Sequence, residues 1–397
     1  MKFVVKSLQK LKPNPAWATL PLFDRTGWKR MAFGDFAHSI GDRAEPKDAQ
    51  EEIYVGLEHL DPQCLHIRRW GKGSDVIGGK LRFQKGDIIF GKRRAYQRKL
   101  AVAEFGGICS AHAMVVRARP DKVLPEFLPF LMMSDRFMNR AVEISVGSLS
   151  PTINWTTLKL ETFDLPPLNQ QRRIAEILWA VDEMMLTQES LENDTRASRA
   201  TFLDTSVTEG RKAAAHGRNA TWPHWHEVTL SEVVDFLDGQ RKPVKESDRA
   251  KRRGDYPYYG ASGIIDTIDG FIYDEPLVLL GEDGANIVDR SSPLAFRVSG
   301  KIWVNNHAHV LRVKPPNSLV YVEYYLESLD YKPFVTGTAQ PKLNKGVCEG
   351  IRIPLPDSKF QTEIELRLLA FEKALAAQAE YSKKTRDFLS ALLNQFT

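Results

Sequence analysis

The chain has 397 residues, 43% of them hydrophobic and 26% charged, with a mean hydropathy of −0.33. It is too long for one ordinary core and too apolar for disorder to dominate, so two or three globular domains are expected. A net charge of +5 permits a polyanionic partner without requiring one. Three cysteines (Cys64, Cys109, Cys348) without CxxC spacing argue against a disulfide framework or a zinc site. With neither a signal-peptide pattern nor an apolar run of membrane length, a cytoplasmic location is expected.

In chain order, residues 1–27 match no recognisable pattern, and a strand-like block opens at Trp28. Leu81 to Phe90 reads as short strands joined by turns at Gly86 and Gly91. After Pro166-Pro167, seam positions recur at Ile174, Leu178, Val181, Met185, Gln188 and Leu191. This 3.5-residue spacing predicts a coiled-coil helix over 168–208, with a Gln near mid-seam to set register. Ser206 to Thr221 reads as a helix end plus a flexible connection. The second half repeats the plan, with strand material at Leu277 to Leu280. A seam then runs through Ile364, Leu368, Phe371, Leu375, Gln378, Ser382, Thr385, Leu389, Leu392 and Phe396.

The two halves match block by block. Trp28-Lys29-Arg30 is answered by Trp225-His226-Glu227, and Ser110-Ala111-His112-Ala113 by Asn305-Asn306-His307-Ala308. Gly147 to Asn154 and Gly337 to Asn344 share the pattern G-[ST]-x-x-P-x-[IL]-N. Phe163-Asp164-Leu165-Pro166 corresponds to Ile351-Arg352-Ile353-Pro354. Matched blocks in one order mark an internal duplication. The expected class is α+β: two tandem domains of mixed β-sheet with short helices, separated by two long antiparallel coiled-coil helices in a pseudo-two-fold arrangement. The expected boundaries are 1–165 and 222–353 for the domains, 166–208 and 354–397 for the helices, and 209–221 for the linker.

The run from Leu165 through Asn169-Gln170-Gln171-Arg172-Arg173-Ile174 to Leu178 closely resembles the segment where specificity subunits of Type I restriction-modification systems pass from a target-recognition domain into a spacer helix. The G-[ST]-x-x-P-x-[IL]-N blocks, Gly86 to Lys92 and Ile302 to Ala308 are similar to other segments of that family. The resemblance spans about Trp28 to the C-terminus. It implies a non-catalytic subunit whose two domains each read half of a bipartite double-stranded DNA target. Its helices would set the gap and dock two methyltransferase subunits, joined by restriction subunits. S-adenosylmethionine, ATP and Mg are then expected on those partners, with no cofactor or metal on this chain. Gln170, Gln171, Arg172, Arg173 and Gln361 are the expected partner-binding residues. The second half departs from the pattern at Gln361-Thr362-Glu363, so the two ends differ.

Positive charge clusters at Lys92, Arg93, Arg94, Arg98 and Lys99, with Tyr96 among them. Six like charges from Lys85 onward repel one another unless a polyanion lies opposite, which favours DNA contact over a solvated hairpin tip. The second half offers Arg241, Lys242, Arg252, Tyr258, Tyr259 and Ser262, either as contacts to a nucleic-acid strand or as ordinary packing. Asp283 is placed to accept from cytosine N4, or else to support a turn; Asn286 is placed to pair with adenine. Thr338 and Lys342 suit a phosphate-meeting loop. His112 and His307 fit a hydrogen-bonded structural role, or else a DNA contact, and not a metal or catalytic one, and His307 and His309 are expected to point the same way. No phosphate-binding loop, dinucleotide fingerprint, HExxH or [DN]-P-P-[YF] motif occurs. Two rival readings remain: a stand-alone DNA-modifying enzyme with an unrecognised active site, and a coiled-coil assembly scaffold that binds no DNA.

Overall fold

A computed structural model describes residues 24–216, 225–336 and 341–396. The chain divides into two compact units, 1–189 with 380–397, and 190–379. In the first unit, Ala37–Ile40, Ala113–Ala118, Ile88–Gly91 and Leu100–Val102 form one antiparallel sheet, in that spatial order. A second, mixed sheet holds Arg43–Ala44, Lys80–Phe83, Gly107–Cys109, Ile53–Val55 and Gly71–Lys72, with Ile53–Val55 running parallel to Gly107–Cys109. The expected strand region from Leu81 to Phe90 is therefore two strands in different sheets, parted by a turn at Gly86, where φ is +91°.

The second unit repeats this plan. Val234–Phe236, Ala308–Val313, Leu277–Gly281 and Ala295–Val298 form the antiparallel sheet. Gly263–Ile268, Tyr256–Gly260, Lys301–Val304 and Tyr273–Asp274 form the mixed one. The matched blocks at the two ends of each repeat are strand partners: Lys29–Ala32 pairs with Thr162–Leu165, and His226–Thr229 with Arg352–Leu355. Each domain thus closes on itself immediately before its long helix. The cores are apolar and close-packed. Phe33, Phe36, Phe90, Phe130, Phe137 and Phe163 are buried in one; Tyr321, Tyr325, Leu311 and Leu343 are buried in the other.

The long helices cover Leu168–His216 and Ser358–Leu393. The first runs past the expected end at 208, so the helix end that the sequence places from Ser206 extends through Gly210 to His216, and the rest of the expected connection, from 217, lies outside the described residues. Gly210 is needed there because a Cβ at that position would sit 2.3 Å from the Trp225 ring. In the second unit the helices run antiparallel: Gln378 Nε2 donates to Thr195 Oγ1 at 3.0 Å, and Phe202 meets Phe371 seven residues further along one helix and seven back along the other. In the first unit Gln188 Nε2 donates to Thr385 Oγ1 at 3.1 Å. There Leu389, Leu392 and Leu393 join the core of Ile174, Leu178 and Val181. Both glutamines therefore sit in the seam as expected, each answered by a threonine. Leu191 does not; it is 53% exposed.

Candidate nucleic-acid interface

In each unit an inner strand of the antiparallel sheet ends on a glycine, and a short, largely half-buried loop follows. The first has Gly91 opposite Ala113, the second Gly281 opposite Ala308. The P-x-[IL]-N end of the repeated motif returns to run beside that loop. The Ile153 N–H donates to Lys92 O at 3.0 Å, Arg94 N–H donates to Pro151 O at 2.7 Å, and Arg93 bridges Thr152. Correspondingly, Leu343 N–H donates to Glu282 O at 2.8 Å, Gly284 N–H donates to Pro341 O at 3.1 Å, and Asp283 bridges Lys342. Sequence blocks some 60 residues apart are thus brought into one small surface, twice.

The first surface is basic. Arg93 lies between His112, whose Nε2 accepts from Nη1 at 3.1 Å, and Ser150, whose Oγ accepts at 3.3 Å; Arg94 Nε also reaches that hydroxyl at 3.3 Å. Burial, with Arg93 and Lys92 close by, holds His112 below the usual histidine range, which suits its role as acceptor. Burial and the nearby Arg43 likewise lower the Lys92 ammonium. Tyr96 is 55% exposed, on a tight turn entered by Arg94 at φ +57° and left by Arg98 at φ +52°. Sequence reasoning overlooked Ser150, although it stands in the repeated motif, and Leu149, which is 90% exposed at the tip of the same hairpin. Two cluster members turn inward. Arg98 donates to Asp135 at 2.5 Å and Asn139 at 2.9 Å, and Lys99 donates to Leu57 O at 2.7 Å. Their charge serves the fold, because donors this close to the sheet must be satisfied locally.

The second surface has the same frame and different chemistry. His307 Nδ1 lies 2.8 and 2.9 Å from the Asp283 carboxylate oxygens. Glu282 holds Arg241 at 2.7 Å and Lys342 at 3.3 Å. A Cβ at Gly281 would meet Ala261 O at 2.8 Å, so this glycine lets the turn of half-buried Ala261 and exposed Ser262 lie against the strand end. Lys242 is exposed, while its carbonyl accepts from Trp303 Nε1. Arg252 lies over the Trp303 ring and bonds Asp269 at 2.7 Å. Tyr259 is half-buried against Phe296, and Thr338 lies outside the described residues.

Several expectations are corrected here. Tyr258 is 1% exposed, with its hydroxyl on the Val244 backbone, and belongs to the core. Arg241 is spent on Glu282 and the Ala308 carbonyl. The Asn286 amide donates to Ser292 O and accepts from Ser291 and Ser292, which holds a turn and leaves no face for adenine. His307 and His309 do not point alike. His307 is exposed in a turn, whereas His309 is buried between Asp238 and Leu343 O. Burial opposes a charge on His309, but the Asp238 carboxylate overcomes it and raises its pKa.

The partner-facing set also divides. Gln171 and Gln361 are 1% and 2% exposed. Gln171 Nε2 donates to Pro166 O and Lys122 O, and its Oε1 accepts from the Leu124 N–H. Gln361 Nε2 donates to Pro356 O, and its Oε1 accepts from the Ser318 N–H. Both pin a helix start to its own domain, where partners cannot reach them. Gln170 is engaged with Trp28 and Asp24 O. Arg172 and Arg173 are exposed and form no ion pair among the described residues. Among those residues no cluster of three or more His, Cys, Asp or Glu suited to a metal occurs, and no helix is long and apolar enough to cross a membrane.

Comparison with known proteins places this geometry. A family model for the Type I restriction modification DNA specificity domain matches residues 27–193 and again 223–382. A putative type I restriction enzyme specificity subunit of Haemophilus influenzae is 38% identical over 135 residues, which is 34% of each chain. The EcoDI specificity subunit of Escherichia coli is 27% identical over 56% of this chain and 48% of its own. The chain thus aligns with about a third and about half of the lengths of these two relatives. A putative MjaX specificity subunit of Methanocaldococcus jannaschii matches over 92% of both chains at 22% identity. The crystal structure of an S subunit from M. genitalium shares the fold, with a TM-score of 0.59 at 16% identity over 93% of this chain and 96% of that one. Two family matches on the two halves of a duplicated frame make this chain a member of the Type I restriction modification DNA specificity family.

Proposed function

We propose that this chain is the non-catalytic DNA-reading subunit of a methyltransferase and restriction complex, each unit reading one half of a bipartite duplex target. The observation that carries the reading is the repeated surface: one frame, built twice, presents polar groups at the end of a rigid sheet with different chemistry each time. A duplicated reader of two unlike half-sites needs this arrangement, because base edges are distinguished by their donors and acceptors. Lys92 and Arg94 supply charge for phosphates in the first unit, Lys242 and Lys342 in the second. Arg172 and Arg173, exposed at the head of the first long helix, are offered to one of two methyltransferase subunits. S-adenosylmethionine, ATP and Mg are assigned to the partner subunits, and the complex works in the cytoplasm. A duplex titration at two salt concentrations tests this: Arg94→Ala weakens binding and lowers the salt slope by about one. Affinity and slope unchanged in that variant, and in Lys92→Ala, refute the interface.

A further inference from the structure

The two surfaces coincide in backbone and oppose each other in polarity. Residues 93 and 283 occupy one framework position, each bridged to the residue after the motif proline, Thr152 in one unit and Lys342 in the other. Each is flanked by the histidine of the repeated block. That histidine is itself set by an equivalent bond: Ser110 Oγ accepts from the His112 N–H, and Asn305 Oδ1 from the His307 N–H. In the first unit the ring accepts from a guanidinium, and in the second its Nδ1 faces a carboxylate. One scaffold residue thus orients a donor fork in one place and an acceptor in the other.

We infer that this paired position reads a base in each half-site with opposite hydrogen-bonding sense, Arg93 taking a guanine and Asp283 taking the amino group of a cytosine. The inference rests on the DNA-reading function proposed above and adds which residue discriminates and what it selects. Arg93 spends one N–H of each terminal nitrogen on His112 and Ser150. A second N–H on each terminal nitrogen and the Nε–H remain to donate to the O6 and N7 acceptors of guanine. Asp283 has no donor to offer guanine; beyond His307 its oxygens keep lone pairs that accept from an exocyclic N4 amino group. Glu282, next to it, is occupied by Arg241 and Lys342, whereas the Asp283 carboxylate, 18% exposed, is paired only with the exposed His307 and is the acceptor left with capacity. Both groups are held by their histidines before any ligand arrives, which lowers the ordering cost of recognition.

The test is selection of binders from a duplex library with two randomised segments, using the full chain with its methyltransferase partners. Wild type is expected to select guanine at one position of one segment and cytosine at one position of the other. Arg93→Lys keeps the charge and loses the fork. It should lower the guanine preference by roughly 5- to 150-fold while leaving the salt slope and the other segment unchanged. Asp283→Ala should erase the cytosine preference alone, by a similar factor. The inference is overturned if Arg93→Lys retains the guanine preference, or if either variant weakens all sequences alike, the behaviour of a phosphate contact. If wild type selects no bipartite motif at all, the proposed function itself fails, and this reading with it.

Discussion

Replacing Gln171 separates two roles that one residue cannot serve together. The side chain is 1% exposed and makes three hydrogen bonds to backbone, donating to Pro166 O at 2.9 Å and Lys122 O at 3.1 Å and accepting from the Leu124 N–H at 2.8 Å. In Gln171→Ala each of those backbone groups loses its partner. A net hydrogen bond is worth about 1 kcal/mol, and a buried orphan costs about 1–3 kcal/mol. A single water entering the vacated space would recover part of the loss, so about 3 kcal/mol is expected. For a unit of this size that lowers the melting temperature by roughly 6–12 °C. The assay is a thermal melt of the full chain, paired with a pull-down against methyltransferase subunits below the melting range. The expected result is a large loss of stability with intact association, and the same for Gln361→Ala, whose bonds to Pro356 O and the Ser318 N–H are equivalent. A melt within about 2 °C of wild type, together with lost association, would refute the clamp and restore the partner-docking role.

Three further perturbations probe the frame. His66 bonds Asp182 on the first long helix at 2.6 Å and Glu104 at 2.9 Å; the Asp182 bond, against the opposing effect of burial, pushes its pKa up to about 9. A raised histidine contributes fully below its unfolded value near 6.5 and loses that contribution as pH climbs through 9. Wild type should therefore surrender about 2 kcal/mol across that window, after allowance for the exposed Glu104, and His66→Gln should not; parallel pH profiles would contradict the clamp. Gln188 and Gln378 each leave Oε1 buried without a partner among the described residues, so Gln188→Leu combined with Thr385→Val should raise stability by about 1–2 kcal/mol and weaken register; a loss of stability in denaturant titration would show the polar layer to be net favourable. In an open helix Gly→Ala gains about 1 kcal/mol, but Gly210→Ala drives a methyl into the Trp225 ring and should instead cost about 2 kcal/mol, so a stabilised variant would disprove the contact.

Much was legible from order and period alone. The duplication, the two long helices and the glutamines of their seams follow from repeated blocks and a 3.5-residue spacing, which local side-chain geometry imposes on any sequence that pairs helices. The charge cluster at Lys92 to Lys99 was visible too. Which of its members face outward was not: Arg98 meets Asp135 and Lys99 meets Leu57 only when distant segments fold together. Likewise Gln171 and Gln361 stand in a motif that looks exposed, on a polar helix start, until a loop from their own domain covers them. The opposition of Arg93 and Asp283 needed the backbone bridges to Thr152 and Lys342 before the two could be recognised as one position. Sequence carries periodicity and repetition, which are local; burial and the partner of each polar group depend on contacts between remote segments, and those exist only in the folded chain.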